Sequence, residues 1–150
     1  MATWKTRTCI ETCPKRVLEL LTDPDACERW SPVAFDIDGL DGTRLTAGTR
    51  ARLAGRIAGK TVAFDVQIDE ADERRLELTA SGPFEIAARY EAVPHGARTE
   101  LRAAVSVGGG GGFAGRLMSR AADALLAAGV LDSTMSRIAR EAEGPAALAA

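Results

Sequence analysis

Large aromatic side chains are scarce in this 150-residue chain, which has two Trp, one Tyr and four Phe. That leaves little material for stacking nucleic-acid bases on aromatic platforms. Charge of one sign is also missing. Nineteen Lys and Arg face 21 Asp and Glu, a formal charge of −2, with no basic stripe, so nucleic acid is not an expected partner. Histidine occurs once, at His95, between Pro94 and Gly96 in an expected turn. One histidine there supplies neither a Ser–His pair nor a metal cluster, and no G-x-S-x-G elbow is present. Cysteine occurs only at Cys9, Cys13 and Cys27, an odd count without framework spacing, which points to free thiols. If Cys9 and Cys13 share a strand, they lie about 13 Å apart, too far for a disulfide. No run approaches the roughly 20 apolar residues of a membrane span. The first residues lack an apolar signal core. A cytoplasmic protein without stable membrane insertion is the expectation.

What the chain does have is small apolar residues. Hydrophobic residues make up 46% of it, and 28 of its residues are Ala. Apolar content this high excludes disorder, and the length suits one domain with a core of its own.

The periodicity orders the elements. Residues 3–13 alternate, with Trp4, Thr6, Thr8 and Ile10 on one face. Pro14 opens a short helix carrying Val17, Leu20 and Leu21 on one side. Asp23-Pro24 starts a second short helix reaching about Trp30, which Pro32 ends. From there the period is two. Strands are expected over 33–39, 48–58, 61–69, 74–81, 84–93 and 98–107, with a turn at Gly59-Lys60. Arg50, Arg52 and Arg56 mark a wet face. After the glycine run 108–112, residues 113–142 switch to helical period. A stripe of Leu117, Ala121, Leu125, Ala128, Met135 and Ile138 follows, with Gly129 as a point for a bend, and 144–150 reads as a frayed tail. An antiparallel sheet with one dry face needs a cover, and the last helix is the one element long enough.

That order, with the motifs in it, resembles the START-like (SRPBCC) superfamily, and within it the polyketide cyclase/dehydrase and lipid-transport branch. Ile10-Glu11-Thr12-Cys13-Pro14 followed by Val17-Leu18-Glu19-Leu20-Leu21 is similar to the family's first strand and helix entry. Asp23-Pro24 with Trp30-Ser31-Pro32 resembles its short-helix exit. Gly48-Thr49-Arg50 resembles the start of its third strand, and Gly96-Ala97-Arg98-Thr99 its last hairpin. The resemblance spans roughly residues 3–142, as a single domain. It implies an α+β helix-grip fold, a curved antiparallel sheet wrapped around a long C-terminal helix with two short helices after the first strand. It also implies a cavity for an apolar small molecule, with no cofactor.

The residues expected to line that cavity are Trp30, Leu53, Phe64, Val66, Leu78, Phe84, Ile86, Tyr90, Leu101, Leu117 and Leu125. Such a list binds by burial, with few polar groups to orient the ligand. Thr6, Thr8, Thr99 and Tyr90 add some polarity. Tyr90 is the one candidate for a catalytic donor, since no other titratable group is placed inside. Asp36 and Asp38 share a face of a short edge strand, where they would serve as an acid and a base near the pocket mouth or, as solvated charges, discourage edge pairing. Gly110 to Gly115 satisfies G-x-G-x-x-G, yet no strand follows the helix to close a dinucleotide unit. Three functions follow. The first is binding of a hydrophobic small molecule, such as a polyketide, lipid or isoprenoid-like ligand. The second is a polyketide cyclase or aromatase working by folding its substrate. The third is a homodimer or protein-interaction module using the last helix, which predicts Met118, Leu126 or Val130 on its outer side.

Overall fold

Strict alternation of small apolar and polar residues builds one antiparallel sheet in the computed structural model. The structure describes residues 2–23, 26, 35–38, 45–57, 60–108 and 112–149. The seven described strands are β1 (Ala2–Ile10), β2 (Phe35–Asp38), β3 (Arg50–Ile57), β4 (Lys60–Ala71), β5 (Arg75–Ser81), β6 (Glu85–His95) and β7 (Arg98–Gly108). Their order across the sheet is β1-β7-β6-β5-β4-β3-β2, so β1 closes the far edge against the last strand and every other neighbouring pair is consecutive in sequence. Lys60 pairs with Ile57 and belongs to β4, rather than to the turn expected at Gly59-Lys60. A bulge between Ile68 and Glu70 shifts the register against β5. The two halves of the candidate pair Asp36 and Asp38 fall opposite Ala54 and Arg52, on the edge strand.

The outer face is charged. Glu91 lies within ion-pair distance of Arg75 (3.7 Å), Arg102 (3.8 Å) and Arg89 (4.0 Å). These pairs are partly solvated and hold the sheet only weakly. The inner face carries the core, which includes Ile10, Ile68, Leu76, Phe84, Leu101 and Val107.

Helices cover that face. Helix α1 (Pro14–Leu21) starts at Pro14, whose missing N–H is no loss in the first turn, and buries Val17, Leu18, Leu20 and Leu21. The expected second short helix lies outside the described residues apart from Ala26, which is helical and buried. The expected single C-terminal helix is two helices, α2 (Gly112–Ala127) and α3 (Val130–Ala149). The break falls at Gly129, whose φ of 94° is a left-handed value that suits glycine. The helical backbone continues through Ala149, where composition suggests a tail.

Helix α3 buries Leu131, Met135, Ile138 and Ala142, spaced four, three and four apart, against the core. Two hydrogen bonds clip it alongside β1. Thr6 Oγ1 donates to Asp132 Oδ1 at 2.5 Å, and the Glu11 backbone N–H donates to Glu143 Oε2 at 2.8 Å.

Candidate functional site

Helix α2 touches both β7 and β3, so it passes over the strands between them. The side it turns toward the sheet carries Gly115, Ser119, Ala122, Asp123 and Leu126, which are buried or partly buried. Four of these five are small or short. A helix with short side chains on its inner face does not fill the space beneath it.

The sheet shows the consequence. Trp4, Val105, Ala88 and Leu78 form one register row across β1, β7, β6 and β5. All four keep part of their surface accessible, although three of them sit on interior strands. The row on one side, Ala103, Tyr90 and Leu76, is buried. On the other side Val107 and Ala80 are buried, while Ile86 between them is partly open. Accessible apolar surface on the inner face of a sheet marks room for a guest. The candidate site is therefore this row with Ile86 beside it, roofed by α2. Two grooves of about 530 and 460 Å³ on the outer face are lined by Lys5, Arg7, Arg89 and Arg102, and by Arg50, Arg52 and Asp65. Their charged walls do not suit an apolar guest.

The expected lining residues divide into groups. Leu53, Leu78 and Ile86 are partly accessible on the inner face. Phe64, Val66, Phe84, Tyr90 and Leu101 are also on that face but are packed away, at 7%, 8%, 1%, 7% and 0% exposure. Phe64 and Phe84 meet edge to face, with ring centroids 5.2 Å apart. They serve the core more than the opening. Trp30 lies outside the described residues.

Leu117 and Leu125 are a correction. Both were expected to face the sheet, and they are 50% and 41% exposed on the outer side of α2. The stripe running from Leu117 to Ile138 assumes one unbroken helix. At about 100° per residue, Gly115 and Leu131 would then sit about 160° apart and could not share a face. The break at Gly129 resets the phase, and both come to face inward. Leu126 and Val130, named for an outer interaction surface, are partly buried instead, and the side chain of Met118 is outside the described residues.

The expected polarity is redistributed as well. Thr99 is fully buried and donates to the Thr12 carbonyl at 2.6 Å, so it staples β7 to the β1–α1 corner. Thr6 is used by Asp132. Two polar atoms not anticipated are buried without a hydrogen-bond partner among the described residues, Trp4 Nε1 and Asp123 Oδ1. Trp4 was legible as an inward residue of β1. Asp123 was not, because a search for a greasy helical stripe passes over a carboxylate. Among the described residues no cluster of three His, Cys, Asp or Glu is placed to hold a metal ion. No helix of the described chain is long and apolar enough to cross a membrane.

A family model described as polyketide cyclase / dehydrase and lipid transport matches residues 1–143. Among solved structures, TTHA0849 from Thermus thermophilus superposes with a TM-score of 0.73 at 19% identity, covering 96% of this chain and 99% of that one. The Zhui aromatase/cyclase from Streptomyces sp. R1128 gives 0.73 at 16% identity, covering 95% and 93%. NE0264 from Nitrosomonas europaea gives 0.71 at 16% identity, covering 97% and 96%. At these identities the likeness is one of fold, the helix-grip arrangement. No curated protein sequence matches the chain.

Proposed function

The chain belongs to the polyketide cyclase/dehydrase and lipid transport family, and from that premise we propose that it binds a hydrophobic small molecule between the sheet and α2. The observation that carries this reading is the half-open row of Trp4, Val105, Ala88 and Leu78 on the inner face. Leaving that row against water forfeits the stabilisation that burial gives, about 25 cal/mol per Å² of apolar surface. A guest of matching shape recovers it, and the short inner side chains of α2 leave it room.

The carrier reading is favoured over catalysis by the position of Tyr90. It is buried in the packed row between Ala103 and Leu76, one row removed from the open one. A catalytic donor has to reach the reacting atoms.

The test has two parts. Native mass spectrometry of freshly purified protein is expected to show an added mass that organic extraction removes. N-phenyl-1-naphthylamine, a neutral apolar dye, is expected to bind the extracted protein one to one with raised fluorescence. Protein that is folded, carries no added mass and leaves the dye dark speaks against a binding site.

A further inference from the structure

The outer face of the sheet holds a groove with more positive than negative charge. In one register row Ala104 stands between Lys5 on β1 and Arg89 on β6, and in the next row Arg102 stands between Arg7 and Glu91. Ala104 offers only a methyl group between two long side chains, and a groove of about 530 Å³ opens there. Lys5, Arg7, Arg89, Arg102 and Glu91 line it together. Strands in a sheet are spaced by about 4.8 Å, so the β1 and β6 backbones flank the gap at roughly 10 Å.

The carboxylates around the groove are shared among several cations. Glu91 lies 3.7, 4.0 and 3.8 Å from Arg75, Arg89 and Arg102, each too long for a direct hydrogen bond. Glu100 meets Arg102 at 2.7 Å and reaches Arg7 at 3.6 Å. Glu77 meets Arg89 at 3.1 Å, and Glu70 lies 3.6 Å from Arg75. Five cations thus face four carboxylates, and the cation without an ion pair among the described residues is Lys5. A guanidinium carries five N–H donors, so these pairs leave donors on Arg7, Arg89 and Arg102 for a guest.

We propose that this groove binds a small, multiply charged oxyanion, a molecule bearing phosphate groups or clustered carboxylates. The guanidinium fork matches the oxygen spacing of both groups. Lys5 adds a positive charge without giving up a pair of its own. The carboxylates set the size of the guest. Glu77, Glu91 and Glu100 stand in or beside the groove and repel a polyanion that runs past it. A nucleic acid or an anionic membrane surface therefore fits less well than a small ion. The groove lies on the opposite face of the sheet from the apolar row, so it does not rest on the ligand-binding reading above.

Isothermal titration calorimetry with inorganic pyrophosphate tests the site. The wild-type protein is expected to bind at about 50 mM NaCl and to lose affinity several-fold at about 200 mM, because salt screens exposed charges. Lys5→Gln breaks no ion pair and is expected to weaken binding about 2- to 5-fold, the size of one exposed charge contact. Ala104→Leu keeps every charge, fills the floor of the groove and is expected to weaken binding further. Arg50→Gln removes the same charge from the second outer groove and is expected to leave binding unchanged. Citrate titrated in parallel separates the two chemistries. Tighter pyrophosphate supports a phosphate-bearing guest, and tighter citrate a carboxylate-bearing one. Binding of N-phenyl-1-naphthylamine on the inner face is expected to stay the same in each folded variant. No binding of either anion to the wild-type protein at low salt overturns the site. Equal weakening by Lys5→Gln and Arg50→Gln also overturns it, since that is diffuse attraction to the whole face.

Discussion

Thr6 and Asp132 join the first strand to the second half of the C-terminal cover, hydroxyl to carboxylate at 2.5 Å across 126 residues of sequence. With the Glu11–Glu143 bond at the other end of the strand, it holds α3 alongside β1 while α2 has no equivalent clip among the described bonds. The anchored half of the cover and the half over the open row are thus distinct. Thr6→Val removes the donor and keeps the shape. It is expected to lower stability by about 1 kcal/mol, the net worth of one such hydrogen bond. A double-mutant cycle with Asp132→Ala, read from urea midpoints, checks it, and additive single effects contradict the coupling.

Gly129 separates those halves. Its φ of 94° is a conformation in which a Cβ crowds the backbone, although the space around it is open. Gly129→Ala is expected to cost about 1–2 kcal/mol through backbone strain alone. Hydrogen exchange is expected to quicken in α2 more than in α3, since α2 buries less. Equal quickening in both would show that the two move as one unit.

Those two features mark where the sequence was and was not readable. The strands were legible because a period of two with one apolar face admits few alternatives, and Val66, Leu76, Tyr90, Leu101 and Val107 all face inward as the alternation predicts. The site was legible only in part. Alternation assigns a residue to a face but says nothing of how closely a helix approaches it, so Leu101 and Leu78 read alike, though one is packed and the other partly open. On α2 the periodic signal pointed to the wrong side. Leu117 and Leu125 continue the phase of Met135 and Ile138, and only a break at Gly129 lets Ser119 and Asp123 face the sheet. Sequence marks the glycine but not the angle through which the helix turns there.

Gly82, in the β5–β6 turn, is required for a different reason. A Cβ there would stand 2.6 Å from the Ala63 carbonyl oxygen and 2.7 Å from Phe64 Cδ1. Phe64 is held edge to face by Phe84 and cannot swing away freely. Gly82→Ala is expected to destabilise by about 1–3 kcal/mol, the usual size of an overpacking penalty. Thermal unfolding of the single variant beside Gly82→Ala/Phe64→Leu checks the cause, because the smaller side chain should restore part of the loss.

Ala88 offers the cleanest test of where the ligand sits. Its Cβ lies mid-row, flanked in register by Leu78 and Val105, with part of its surface accessible. Ala88→Phe is expected to fill the opening and weaken dye binding by at least about tenfold, or ~1.4 kcal/mol, while the unfolding midpoint holds or rises. Leu101→Arg is a poor substitute, because Leu101 is fully buried and the charge would unfold the protein before it reported on binding.

Asp72 supplies a pH dependence that can be tested. It turns β4 into β5, with its Oδ1 accepting the backbone N–H groups of Arg74 and Arg75 at 2.8 Å each. Its carboxyl is held below the ordinary value of 3.8 first by the Arg74 N–H, which outweighs the opposing effect of burial, and further by the Arg75 N–H, the Arg75 charge and the Glu70 side chain. A carboxyl whose value falls on folding stabilises the fold fully above its unfolded value, and that contribution fades as pH drops through the lowered folded value. Asp72→Asn keeps an acceptor oxygen and loses the charge. The wild-type protein is expected to exceed the variant by on the order of a few tenths of a kcal/mol at neutral pH, since the group is exposed and water screens it. Urea midpoints at about pH 6 and about pH 2 check the sign. Once protonated, the Asp72 carboxyl is as neutral as the amide of the variant, so the gap should close in acid.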